Sequence, residues 1–171
     1  RKERQLVKAL CERTETALDT IDDTVMKQLS VCDASELSVL VECLCSVESL
    51  VVGEAKQHYQ TVRPWLDNDL PICEARTAHL AGNGDYPSGH AAHGQHVAMI
   101  LAALAPDRVT QLLARGREFG ESRWVCGSHS QSAAEAGTLA GAVIFAAEMN
   151  SEEFRQDLEV ARKELAAARS T

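Results

Sequence analysis

Residues 86–106 read "YPSGHAAHGQHVAMILAALAP". Pro87 and Ser88 suit the start of a helix, and Gly89 lets another group approach the backbone. A buried helix is predicted from about His90 to Ala105, and Pro106 stops it. A helix of that kind needs further helices around it. Its neighbours in sequence provide them. Leu6, Leu10, Ala17, Ile21, Val25 and Leu29 recur at helical spacing over 3–30. Asp33 or Ser35 could cap a second helix over 36–62, which must end before Pro64. Residues 107–120 and roughly 124–149 follow as helices. A last helix begins near Ser151, with Phe154, Leu158, Ala161 and Leu165 on one face. No run alternates as a strand does. The prediction is an all-α, single-domain helical bundle over 1–171.

Residues 65–87 differ in kind. Prolines, glycines and an Asn-Gly pair predict mostly loop, and a loop that long in a compact domain is usually functional.

Composition narrows the class. Apolar residues make up 45% and charged residues 25% of 171, so the chain is globular rather than disordered. The net charge of −8 argues against a broad nucleic-acid footprint, and any anion site must be a local cluster of cations. "VAMILAALA" (97–105) and "LAGAVIFAAEM" (139–149) are too short to span a bilayer. The chain starts at Arg1 and no signal peptide is visible, as expected of a processed secretory product or a trimmed chain. Six cysteines, at 11, 32, 43, 45, 73 and 126, have no zinc-type spacing.

Three segments carry chemistry. Lys56 and Arg63 are seven residues apart, so on one continuous helix both cations share a face that suits a dianion. Pro87-Ser88-Gly89-His90 opens a helix whose free N–H groups and dipole favour an anion, with the Ser88 hydroxyl and His90 beside it. Ser122-Arg123 precedes His129 by six residues; Arg123 is a bidentate phosphate donor and His129 a nucleophile or base. Taken singly, each also fits a plainer reading: a solvated basic face, an ordinary N-cap, an exposed arginine with a satisfied core histidine. Together they supply three cations, a helix N-terminus, a hydroxyl and two histidines. That is what phosphoryl transfer without a metal requires.

In order and spacing the three segments resemble the signature of the acid phosphatase/vanadium haloperoxidase (type 2 phosphatidic acid phosphatase) superfamily. The pattern is Lys-x6-Arg-Pro, Pro-Ser-Gly-His and Ser-Arg-x5-His-x3-Asp. Here it reads Lys56 to Pro64, Pro87 to His90, and Ser122-Arg123 with His129. The flanks "NGDYPSGH" and "GESRWVCGSHSQS" resemble the class A bacterial non-specific acid phosphatases over about 37–166. The first 36 residues resemble that family only faintly.

The resemblance implies a periplasmic or secreted enzyme acting on small phosphomonoesters, with no metal or cofactor and with vanadate as inhibitor. His129 would attack phosphorus and become a phosphohistidine, and His90 would protonate the leaving alcohol. Lys56, Arg63, Arg123, Ser88 and the Gly89 N–H would hold the phosphate oxygens. Water would then release phosphate, or an alcohol would accept the phosphoryl group. The resemblance also suggests a disulfide between Cys73 and Cys126. A homo-oligomer is compatible with the wide apolar face of the first helices.

One position departs from the pattern. The family's last aspartate, which orients the nucleophilic histidine, is Ala133 here. If His129 and Ala133 share a helix face, the orienting carboxylate is missing and turnover should fall by about 10²–10⁴-fold. A catalytically inactive phosphate-binding relative is the alternative. His90, His93 and His96, three apart, lack the convergence of a zinc site.

Overall fold

The computed structural model describes residues 51–170. The helix expected over 3–30, the first part of that over 36–62 and the cysteines at 11, 32, 43 and 45 lie outside them. The described chain contains α1 (the helical stretch 51–59), α2 (Ala78–Gly82), α3 (Gly89–Leu104), α4 (Val109–Val125), α5 (Gln131–Glu148) and α6 (Glu152–Ala168). Short 3-10 turns occupy Pro64–Leu66 and Pro106–Arg108. No strand occurs among the described residues, as the all-α expectation requires.

Local sequence sets most boundaries. Thr77, Ser88, Ser130 and Ser151 each cap a helix, their side-chain oxygens accepting the N–H of the third residue on. Pro106 ends α3 after Ala105. The loop expected over 65–87 holds one short helix, α2.

The helix called out by residues 86–106 is the centre of the fold: α3 packs against both α4 and α5, and α6 covers its far end. Ile100 and Leu104 of α3 join Leu158 and Ala161 of α6 in a buried cluster flanked by Phe145, Met149, Phe154 and Leu165. The predicted apolar face of the last helix is therefore its buried face. His96, fully buried on α3, bonds Glu148 of α5 through Nε2 at 2.7 Å.

Glycines let the helices meet at backbone contact. A Cβ on Gly137 or Gly141 of α5 would strike the carbonyl oxygens of Ser88 or Ala92, and one on Gly94 of α3 would strike Phe119 of α4. The helix expected over 107–120 runs on to Val125, and Gly120 lies inside it. A Cβ there would press on Ala91 of α3 and Thr138 of α5. Its role is close approach, which is why the break expected after 120 is absent.

Gly137→Ala should therefore cost about 1–3 kcal/mol of stability by overpacking. Gly82→Ala, with open space around it, should stay within about 0.5 kcal/mol of the parent. Chemical denaturation midpoints measure both; an unchanged midpoint for Gly137→Ala would contradict this packing.

Candidate phosphate-transfer site

Residues 123–130 form the first wall. Arg123 lies in the last turn of α4. The helix then ends on Gly127, whose φ of +73° an L-side chain rarely adopts. The reversal lets the Arg123 carbonyl accept from the N–H groups of both Ser128 and His129 at 3.1 Å. Ser130 then caps α5. His129 thus stands in a tight turn, not within the predicted helix 124–149. The i, i+4 relation between His129 and Ala133 does not hold, because the two share no helix.

The ring of His129 is almost fully buried, and its Nδ1 has two oxygen partners from one residue. The Asp85 carbonyl lies at 2.7 Å and Asp85 Oδ1 at 2.9 Å. A carbonyl oxygen only accepts, so Nδ1 must carry the proton. The neutral ring then keeps its lone pair on Nε2. Asp85 is itself fixed: Ser130 Oγ donates to Oδ2 at 2.5 Å and the Ser130 N–H donates to Oδ1 at 3.1 Å. The expectation that Ala133 leaves His129 without an orienting carboxylate is corrected here. A carboxylate reaches the ring from a different segment.

The second wall is the chain after α1. The predicted helix over 36–62 stops at residue 59, because Gln60 takes a φ of +48°. Lys56 and Arg63 are consequently not two positions on one helix face; Arg63 lies on extended backbone. They converge on the site all the same, through tertiary bonds. Lys56 Nζ donates to the Gly84 carbonyl. Arg63 Nε donates to Asn83 O at 2.7 Å and its Nη1 to Ser128 O at 2.9 Å. Asp85 N–H and Tyr86 N–H both bond Thr61 at 2.9 Å, clasping the two segments together.

The floor is the start of α3. Ser88, fully buried, is its N-cap, and its own N–H donates to Ala133 O at 2.9 Å. Lys56, Arg63, Gly89, His90, His93 and His129 line one cavity of about 560 Å³. Ser88 and Arg123 stand outside that lining. Arg123, 7% exposed, bonds Glu74 Oε1 at 2.7 Å, while its buried Nε has no partner among the described residues. No group of three histidine, cysteine or acidic residues in the described chain is set to hold a metal ion.

Two cations, a helix N-terminus and the histidines His90, His93 and His129 thus meet around one cavity. The sequence model described as the PAP2 superfamily matches residues 36–157. The chain belongs to the PAP2 superfamily. An acid phosphatase of Zymomonas mobilis is 40% identical over 84% of this chain and 54% of its own length. A non-specific acid phosphatase of Salmonella typhimurium is 40% identical over 66% of this chain and 46% of its own. One of Providencia stuartii is 32% identical over 78% and 55%. The resemblance to the class A acid phosphatases is borne out by these relatives. The chain spans about half the length of each. No helix among the described residues is long and apolar enough to cross a membrane.

Within this PAP2 site, burial and charge set the protonation states. Burial pushes the Asp85 carboxyl up, but hydrogen bonds from His129 and Ser130 outweigh it and hold it below the usual range. Burial lowers His129, with Arg63 and Lys56 adding to the effect and Asp85 opposing it. His90 has its side chain open at the cavity mouth and one ring flank against Phe119. Partial burial of the ring and the Arg123 guanidinium lower it, while Glu74 opposes. Burial and neighbouring Arg63 bring Lys56 down to about 8.

Sequence reasoning missed Asp85 and Glu74. Both lie in the segment read as loop. The available signal was an acidic residue three positions before Ser88, inside "NGDYPSGH".

The Lys56 shift has a measurable sign. Its ammonium is charged below a pH of about 8 and lost above it, so affinity for a fixed dianion must fall as pH rises through that value. Sulfate binding followed by calorimetry should weaken above a pH of about 8, and Lys56→Gln should abolish that trend. The same pH trend in the variant would contradict the assignment.

Proposed function

We propose that the protein is a metal-independent acid phosphatase of the class A type, hydrolysing small phosphate monoesters through a phosphohistidine at His129. The observation that carries the reading is the pair of acceptors on His129 Nδ1. They leave the Nε2 lone pair as the attacking electrons, in a cavity shared with Lys56, Arg63 and His90.

The Nε2 lone pair forms a bond to phosphorus and the ester P–O bond breaks. The leaving oxygen takes a proton from His90. Lys56, Arg63 and the Gly89 N–H, on the cavity lining, hold the remaining phosphate oxygens and offset their charge, and the Ser88 hydroxyl and Arg123, outside that lining, complete the hold when phosphate is bound. Water then attacks phosphorus, gives a proton to His90, and the N–P bond breaks. An alcohol in place of water would make the enzyme a phosphotransferase. Arg123 must exchange Glu74 for phosphate in this scheme, or hold both through separate nitrogens.

The slowing expected from Ala133 presumed an undirected His129 ring. The Asp85 contact supports a directed ring instead. The inactive phosphate-binding alternative is left as an outcome of the assay.

A disulfide between Cys73 and Cys126 belongs to the same proposal. Cys73 N–H bonds Cys126 O at 3.2 Å, which brings the two backbones side by side. A bridge there would tie the segment holding Glu74 to the turn holding His129. It would suit a periplasmic or secreted enzyme.

The protein should hydrolyse a chromogenic phosphomonoester at acidic pH, resist chelators and be inhibited by vanadate. His129 must be neutral to attack, and its lowered pKa keeps it so in acid. His90 must be protonated to donate, so kcat/KM should fall as pH rises. His129→Ala should remove the activity. Activity surviving that change, or phosphate binding with no turnover in the parent, would contradict the reading.

A further inference from the structure

We infer that Asp85 is the positioning residue of the nucleophile, a carboxylate delivered to His129 from the segment before α3 rather than from position 133. The inference rests on the phosphohistidine reading and deepens it.

The geometry is specific. Asp85 offers His129 Nδ1 both its carbonyl oxygen, at 2.7 Å, and its carboxylate, at 2.9 Å. The two together fix tautomer and ring plane. The carboxylate is 6% exposed on its side chain and the imidazole 1%. Ser130 holds the other carboxylate oxygen at 2.5 Å. The backbone is pinned on both sides: Asp85 N–H to Thr61 O, and Ser88 N–H to Ala133 O, each at 2.9 Å. Every polar atom of Asp85 is thereby occupied. Such a fully bonded buried anion stabilises a cation beside it better than a solvated one.

A cation is what the reaction creates. When Nε2 bonds phosphorus, the ring keeps its Nδ1 proton and becomes a phosphoimidazolium. Asp85 offsets that charge until water cleaves the N–P bond. No proton passes to Asp85.

The same contacts explain why position 133 can be alanine. Ala133 is fully buried, its N–H donates to Ser130 Oγ at 3.2 Å, and its carbonyl takes the Ser88 N–H. Ser130 Oγ already donates to Asp85. An aspartate at 133 would bring a second anion close to the first, without water to separate them. Ala133→Asp is therefore expected to leave kcat unchanged or lower it, the reverse of what the linear pattern suggests.

The test compares the parent, Asp85→Asn and Ala133→Asp. Asp85→Asn should lower kcat on the order of 10²–10⁴-fold, as loss of an orienting carboxylate does elsewhere, with KM and sulfate affinity within about threefold. The low-field proton resonance of His129 Nδ1–H should move upfield or vanish. Kcat within about threefold of the parent for Asp85→Asn, or a tenfold or greater gain for Ala133→Asp, would overturn the inference while leaving the phosphatase reading intact. If the parent has no turnover, the phosphatase reading fails instead. The resonance then decides: its change in Asp85→Asn supports positioning, and its persistence unchanged overturns it. If Asp85→Asn does not fold, Ser130→Ala removes one anchor of the carboxylate. It should lower kcat at unchanged KM, and unchanged kcat would overturn the proposal.

Discussion

One hydrogen-bonded constraint organises the site: His129 Nδ1–H is held between the carbonyl and the carboxylate of Asp85. It decides which nitrogen carries the proton, which way the ring faces and which charge the ring can tolerate. The rest of the described fold delivers the two residues to each other. Gly127 ends α4 so that His129 leaves the helix, and Ser130 restarts the chain as α5 while gripping Asp85. Thr61 holds Asp85 from the other side. A carboxylate this deeply buried is tolerable only because each oxygen has donors.

The helix packing serves the same end. Close glycine contacts seat the first turn of α3 directly against α5, so Ser88 and Ala133 are joined by a backbone bond. The anion-favouring N-terminus of α3 is thus held rigidly beside the turn that carries His129. Catalytic groups gain from such fixed placement, because little motion is left to freeze at the transition state. Glu74 adds a counterweight. It occupies Arg123 and lies near His90, so the positive charge of the site is partly neutralised from within.

Much of this was legible in the chain. Periodicity and caps gave the all-α class, the central α3 and the buried face of α6, because both signals are local. The three cation- and histidine-bearing segments were also legible, since their spacing is a linear property. What failed was the inference from spacing to shape. Gln60 and Gly127 adopt positive φ and break helices that periodicity would carry through. With the helices broken, Lys56 and Arg63 meet through tertiary bonds, and His129 looks to Asp85 instead of Ala133. A residue forty-four positions away leaves no periodic trace in one sequence. The helix expected to end at 120 errs in the opposite direction: Gly120 serves close packing inside α4.

The most direct test of the account is to catch the proposed covalent intermediate. The protein is mixed with a labelled phosphomonoester, quenched within milliseconds under conditions that preserve phosphoramidates, digested and mapped by mass spectrometry and NMR. The account predicts label on His129, attached at Nε2. Label on Nδ1, on His90, or on no residue during a demonstrated turnover would contradict it.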